Sequence, residues 1–325
     1  MANFTFIYNR IYHKDMKRFL FFVVSLCAAV SGMSAAEPVF DGWALPVVSV
    51  AHMRGRPAHS AEMVSQVLMG MPLRVAPSEK DGWLLVKSPE GYSGYIIRNS
   101  LQLMDSLQMA RWRSSKRLIA TALNEIKIYA DTLGRRVVSD VVPGDIVEDR
   151  GSSGRWAAVV LPDGRKGWAS RSCFTSLSGW AAQPESARSV ISMAMAQTGA
   201  PYVWGGMSVK GMDCSGLSKM AYYHNGIILR RDASQQALCG KLVENMSDLK
   251  PGDLLFFGNK NTGKVDHVGI FIDGDNFIES SGRVRVSSVK AQKRLLYARR
   301  VLGYTSEPGI TRAVDHAWYF NRERR

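Results

Sequence analysis

The hydrophobic positions of this chain change period several times, and each change marks an expected element. Phe19 to Val30 is nearly all apolar, preceded by Met16-Lys17-Arg18 and followed by the small residues Ser31-Gly32-Met33-Ser34-Ala35-Ala36. A basic start, a short apolar stretch and a small-residue exit form an export leader too short to span a bilayer comfortably. Residues 1–36 are therefore expected to be a secretory signal region cut near Ala36, with Met16 as a candidate start. Cys27 follows the bulky Leu26, which argues against lipidation there. No later run approaches the ~18 apolar residues of a membrane helix. The mature chain is expected to be exported, periplasmic or extracellular, with no stable membrane insertion.

Further along, short apolar runs alternate with turn residues. Gly82-Trp83-Leu84-Leu85-Val86 is followed by Gly91, Gly94 and Tyr95, and Arg155-Trp156-Ala157-Ala158-Val159 by Gly164, Gly167 and Trp168. The two stretches match at an offset of 73, with the same spacing from tryptophan to each glycine and to the closing aromatic. Such runs, broken by Ser88-Pro89-Glu90-Gly91 and Leu161-Pro162-Asp163-Gly164, predict hairpins. They resemble bacterial SH3-like domains, which implies two small β-barrels at 37–104 and 126–178 that recognise cell-wall material or position an attached enzyme. Trp83 and Trp156 are read first as barrel-core residues. Between the copies, Leu107, Ala110, Leu118, Ala122 and Leu123, with Arg111, Arg113, Lys116 and Arg117, predict a connecting helix over 105–125 with a solvated basic face.

After Trp168 the pattern changes again. Gly179 to Pro184 reads as a linker, and Pro184-Glu185 as a helix start continued by Val190, Ile191, Met193, Ala194 and Ala196. A third domain is expected over 179–304, an ordinary size for one core. Residues 305–325 read as a basic C-terminal extension. Lys and Arg number 42 against 28 Asp and Glu, a net +14, which favours an anionic partner. Nucleic acid is excluded, because no basic run interleaves with stacking aromatics and the leader removes the cytoplasmic targets.

Beyond the leader three cysteines remain, Cys173, Cys214 and Cys239, so at least one thiol is unpaired. None is spaced as Cys-x-x-Cys, which argues against a thiolate metal site or a redox pair; neither metal nor cofactor is expected. Cys214 lies where the Gly-flanked Gly211-Met212-Asp213 turn opens into an amphipathic helix. Unsatisfied N–H groups and the macrodipole there favour a thiolate. Such a nucleophile needs a base, ordinarily histidine. His224 is ten residues further along the same helix, about 15 Å away at 1.5 Å per residue, and cannot reach. His267 begins the apolar strand His267-Val268-Gly269-Ile270-Phe271-Ile272. The turn Asp273-Gly274-Asp275 and a strand from Asn276 to Ser280 follow. A three-residue loop would set Glu279 diagonally across from His267 on the same face.

The series Pro201-Tyr202-Val203-Trp204-Gly205-Gly206, Asp213-Cys214-Ser215-Gly216, Arg231-Asp232-Ala233-Ser234-Gln235-Gln236, Leu249-Lys250-Pro251-Gly252-Asp253-Leu254-Leu255-Phe256-Phe257 and His267-Val268-Gly269-Ile270 resembles the NlpC/p60 cell-wall cysteine peptidases in order and spacing. The resemblance implies an α+β fold, a papain-like cysteine peptidase domain preceded by two small SH3-like β-barrels. It implies hydrolysis of the γ-D-glutamyl to diamino-acid bond of peptidoglycan stem peptides, with Cys214 as nucleophile and His267 as base. The third family position falls on Glu279, a carboxylate where a histidine is common. Tyr202 matches a tyrosine near the nucleophile, and Asp213, Ser215 and the helix-start N–H groups lie close to the expected oxyanion. Two-barrel members resemble enzymes that require a free N-terminal L-Ala. Glu62 and Tyr92 of the first barrel, with Asp232 and Ser234 of the cleft, match positions that would hold its ammonium. The expected substrates are then freed muropeptides, and a monomer is expected. A non-catalytic wall-binding protein is the alternative reading, disfavoured because binding alone has no need of Cys214 and His267.

Overall fold

Runs of about five residues, closed by glycine and proline turns, build the first half of the molecule. The computed structural model describes residues 38–321; the expected leader, Cys27 and residues 322–325 lie outside the described residues. Strands β1 (Gly42–Pro46), β2 (Val50–Arg54), β3 (Met63–Leu68), β4 (Leu73–Pro77), β5 (Trp83–Lys87), β6 (Ser93–Ile97) and β7 (Leu101–Met104) form one antiparallel sheet. A second contains β8 (Arg117–Ala120), β9 (Ile126–Tyr129), β10 (Val137–Val141), β11 (Ile146–Ser153), β12 (Trp156–Val160), β13 (Lys166–Ser170) and β14 (Phe174–Ser176). Their orders are β3-β2-β6-β5-β4-β1-β7 and β10-β9-β13-β12-β11-β8-β14, the same path traced twice. Trp83 and Trp156 each open the fifth strand of their sheet, so the sequence repeat is a repeat of topology. Trp83 is buried and Trp156 half-buried. Among the described residues the hydrogen-bonded order ends at β3 and β7 in one sheet and at β10 and β14 in the other, without the ladder that would close a barrel.

The connecting helix expected over 105–125 is shorter. It runs Ser106–Ser114 and opens with a reciprocal cap: Asp105 Oδ1 accepts from Gln108 N at 2.7 Å, and Gln108 Oε1 from Asp105 N at 2.8 Å. Leu118 belongs instead to β8, whose four residues are all buried between β11 and β14. A run as short as Leu118-Ile119-Ala120 does not separate helix from buried strand by period, and its neighbours decide. Arg117, expected on a solvated face, is 6% exposed. It donates to Tyr319 O at 2.8 Å and Arg113 O at 2.7 Å, over the Trp112 ring.

The expected basic extension from 305 also proves to be packed structure. β24 (Ile310–Arg312) pairs with β17 (Ile227–Leu229), which follows the short hairpin of β15 (Met207–Ser208) and β16 (Gly211–Met212). Tyr319 is fully buried, its hydroxyl 3.1 Å from that of Tyr223 and its ring 6.1 Å from Trp180. Burying a large apolar side chain stabilises by roughly 2 kcal/mol, enough to hold the Trp318-Tyr319-Phe320 segment against the body.

The third part combines helices with a six-stranded antiparallel sheet. β18 (Lys241–Val243), β19 (Leu254–Gly258), β20 (Val265–Asp273), β21 (Asn276–Ser281), β22 (Arg283–Ser288) and β23 (Leu295–Arg300) are ordered β18-β23-β19-β20-β21-β22. The helix foreseen from Pro184 runs Ala187–Met195, capped by Ser186. A helix over Cys214–Tyr223 is buried at every position and packs on β20 and β17. Side chains fasten this part to both earlier sheets. Lys210, shortly before Cys214, reaches Asp140 of the second sheet and, at 3.1 Å, Ser49 Oγ of the first.

Candidate active site

Cys214 is the first residue of its helix because Asp213 caps it. Asp213 Oδ1 accepts from Gly216 N at 2.7 Å, and Oδ2 from Gly205 N at 2.9 Å. Gly216 is required by closeness: a Cβ there would sit 2.0 Å from Gly206 O. The helix start is therefore pressed against the 205–206 turn, and the sulfur is placed by backbone packing. The N–H groups of Cys214 and Ser215 have no acceptor among the described residues, as the first turn of a helix leaves them. They are available to an oxyanion.

Arg231 is the residue that sequence reasoning missed. It is 1% exposed and grips Asp213 with both ends of its fork, Nη1 to Oδ1 at 3.1 Å and Nη2 to Oδ2 at 2.6 Å. It also donates to Ser215 Oγ at 2.9 Å and to Ser65 Oγ of β3 at 3.0 Å. The Ser215 hydroxyl, expected near the oxyanion, is thus committed to Arg231 and to Asp213 Oδ1 at 3.3 Å. What Ser215 offers the cleft is its backbone N–H. Asp213 lines the cleft as expected, with its carboxylate serving as cap and as counter-ion.

His267 and Glu279 meet across a hairpin. Gly269 pairs with Glu279, so Glu279 is the diagonal neighbour of His267, as the alternation of the two strands predicts. The turn is tighter than expected, Gly274-Asp275 between the strand ends, and a register shift between Phe271 and Asp273 takes up the extra residue. His267 Nε2 lies 2.6 Å from Glu279 Oε2, which leaves Nδ1 as the ring nitrogen for the thiol. Burial opposes a charged imidazole here, but hydrogen bonds to Cys214 and Glu279, reinforced by their charge, lift His267 to about 9. Burial likewise opposes the Glu279 carboxylate, yet hydrogen bonds from His267 and Ser287, the imidazolium charge and Arg285 bring it to about 2. Ser287 Oγ donates to Glu279 Oε1 at 2.7 Å, and Arg285 Nε and Nη2 approach it at 3.2 Å. Arg285 and Ser287 alternate on β22 opposite Glu279; the Ser281-Gly282 turn was the sequence signal for that third strand.

Two cavities adjoin here and share Tyr202 and Asp266 in their linings. One encloses about 310 Å³ and is lined by Cys214, Tyr202, Asp213, Ser215, Asp232 and Ser234, together with Glu62 and Tyr92 from the first sheet. The other, about 390 Å³, is lined by His267 and Glu279. Each residue expected at the site therefore lines one or the other of these two adjoining cavities. Trp204, quoted only as part of a motif, donates Nε1 to Glu62 Oε1 at 2.6 Å. Tyr92 hydrogen-bonds Asp232, and its hydroxyl is pushed up to about 12, by burial first and then by the Asp232 charge. Tyr202 also rises to about 12 through burial, with Cys214 and Asp213 adding, so it is a hydroxyl donor at neutral pH. Among the described residues no group of three or more His, Cys, Asp or Glu could hold a metal ion. Cys173, Cys214 and Cys239 carry free thiols.

Comparison with known proteins identifies two of the domains. The NlpC/P60 family model matches residues 199–301, and that of the bacterial dipeptidyl-peptidase SH3 domain matches residues 53–101. The chain is 28% identical over 268 residues to dipeptidyl-peptidase 6 of Lysinibacillus sphaericus, covering 78% of this chain and 93% of that protein. It is 43% identical over 83 residues to a γ-D-glutamyl-L-lysine dipeptidyl-peptidase of Bacillus subtilis strain 168, covering 25% of this chain and 28% of the relative. The crystal structure of an NlpC/P60 family protein from Bacillus cereus superposes with a TM-score of 0.70 at 22% identity, over 80% of this chain and 99% of that one, and shows the shared fold. The chain is thus a cysteine peptidase of mixed helix and sheet, with an NlpC/P60 domain of papain-like fold at residues 199–301 and a bacterial dipeptidyl-peptidase SH3 domain at residues 53–101.

Proposed function

We propose that Cys214 attacks the γ-carbonyl of D-glutamate in a peptidoglycan stem peptide and releases the diamino acid that follows it. The observation that carries this reading is the hydrogen-bonded line Cys214, His267, Glu279, with Cys214 lining one of two adjoining cavities and His267 and Glu279 the other. The thiol proton passes to His267, and sulfur bonds to the carbonyl carbon. The resulting oxyanion takes hydrogen bonds from the Cys214 and Ser215 N–H groups and the Tyr202 hydroxyl. Protonated His267 gives its proton to the departing amine, leaving a thioester on Cys214. Water, deprotonated by His267, then hydrolyses that thioester. Glu279 orients the ring and stabilises its charged form.

The first cavity suits an unblocked L-Ala-γ-D-Glu unit. Glu62 and Asp232 supply carboxylates for its ammonium, and Trp204 and Tyr92 orient them. The first sheet closes this end of the cleft, so freed muropeptides fit better than long strands. On this reading the two seven-stranded sheets are SH3-type barrels, and the enzyme works as an exported monomer. Defined L-Ala-γ-D-Glu-diamino-acid tripeptides, analysed by mass spectrometry, test the reading: the expected product is free L-Ala-γ-D-Glu, and cleavage at L-Ala would reject it. Acetylating the N-terminus is expected to lower kcat/KM about 30-fold, the ~2 kcal/mol of a lost ammonium–carboxylate contact. Equal rates on blocked and free peptides would remove the amine pocket.

Glu279→Gln keeps the shape of the carboxylate and discards its charge. The expected result is a kcat lower by about 10- to 100-fold with little change in KM. The imidazolium that protonates the leaving amine exists below its pKa of about 9 and is lost as pH rises through it. Losing one of the groups that raise this pKa should move the alkaline limb of the kcat profile toward neutrality. A variant with normal kcat and an unmoved limb would reduce Glu279 to scaffolding.

A further inference from the structure

If the aminoacyl half of the substrate occupies the Glu62 side of the cleft, the leaving half falls into the second cavity, and that cavity is rich in guanidinium. Arg285 and Arg294 line it, with side chains 46% and 59% exposed. Arg285 is held at 3.2 Å by a Glu279 carboxylate that already serves His267 and Ser287. Arg294 spends Nη2 on Asp266, and its Nε and Nη1 have no partner among the described residues. The lining thus carries two permanent cations, an imidazole and two carboxylates, Asp266 and Glu279. Glu279 faces inward to His267, and Asp266 stands at the rim between the cavities.

Charge of this kind separates diamino acids. A side chain ending in an ammonium alone meets two guanidinium groups and one rim carboxylate. A side chain whose last carbon carries both an ammonium and a carboxylate offers its anion to the open guanidinium donors and its cation to Asp266. Arginine suits that task because its planar fork binds a carboxylate through two parallel N–H donors. We propose that Arg285 and Arg294 read the side chain of the leaving residue and select a diaminopimelate-type, zwitterionic end over a lysine-type, purely cationic one. This rests on the γ-D-glutamyl reading above and adds the identity of the third stem residue to it.

The test is kcat/KM on four tripeptides, L-Ala-γ-D-Glu followed by diaminopimelate or by lysine, each as the main-chain acid and the main-chain amide. The wild type is expected to favour diaminopimelate about tenfold or more in both forms. In Arg294→Glu the diaminopimelate-to-lysine ratio is expected to fall by on the order of tenfold, the size of removing one exposed attraction and adding one repulsion. The ratio comes from one protein preparation, so partial misfolding cancels. Equal wild-type rates on the two residues would overturn the proposal alone. So would an Arg294→Glu loss confined to the free acids, since the arginine would then be reading the main-chain carboxylate. Hydrolysis of none of the four would overturn the γ-D-glutamyl reading and this proposal with it.

Discussion

Cys214→Ala is expected to retain less than about one-thousandth of the wild-type kcat, because the binding cleft and oxyanion donors survive while the bond-forming atom does not. Stability should barely move. The thiol is a small group at a helix start whose position is set by Asp213 and by the Gly216–Gly206 contact, and alanine is well tolerated at such a site. Circular dichroism and a thermal melt supply the control. Turnover above a hundredth of wild type in a normally folded variant would assign the chemistry to another group.

The second large effect is on folding. Arg231→Met leaves the Asp213 carboxylate buried without its two guanidinium bonds and frees Ser215 and Ser65 of their shared partner. Breaking one side of a buried ion pair costs about 3–5 kcal/mol. For a domain of this size that corresponds to a fall in Tm of roughly 10 °C. Activity should fall with it, since the same fork aligns the helix start with the first sheet. Removing the stranded charge as well, in Arg231→Met/Asp213→Asn, should recover part of the loss. A single variant melting within about 2 °C of wild type would show the fork to be dispensable.

The reacting groups were legible in the sequence because each obeys a local rule. A capped turn places Cys214, and strand alternation carries Glu279 to the face of His267. Arg231 obeys no such rule. It follows Arg230, which is exposed and donates to the Glu90 backbone carbonyl, and nothing local separates the arginine that stays outside from the one that is buried. Only the meeting of the Asp213-Cys214-Ser215 turn with Ser65, about 150 residues earlier, makes the difference. The whole of β8 was misread as helix for a related reason: four buried residues between two strands look the same as one helical turn. The C-terminal segment had a usable signal in Trp318-Tyr319-Phe320, because three adjacent aromatics are poorly suited to a solvated appendage. Its basic neighbours mask that signal in the sequence, and the aromatic burial outweighs them in the fold.

The central claim is that, of the three thiols among the described residues, Cys214 meets the γ-carbonyl. An L-Ala-γ-D-Glu analogue carrying a halomethyl ketone at the γ-position would alkylate whichever nucleophile reaches that carbon, and peptide mapping would identify it. The account predicts one equivalent of label on Cys214, loss of activity in step with labelling, and protection by unmodified tripeptide. Label on Cys173 or Cys239, or full turnover after Cys214 is stoichiometrically blocked, would contradict it.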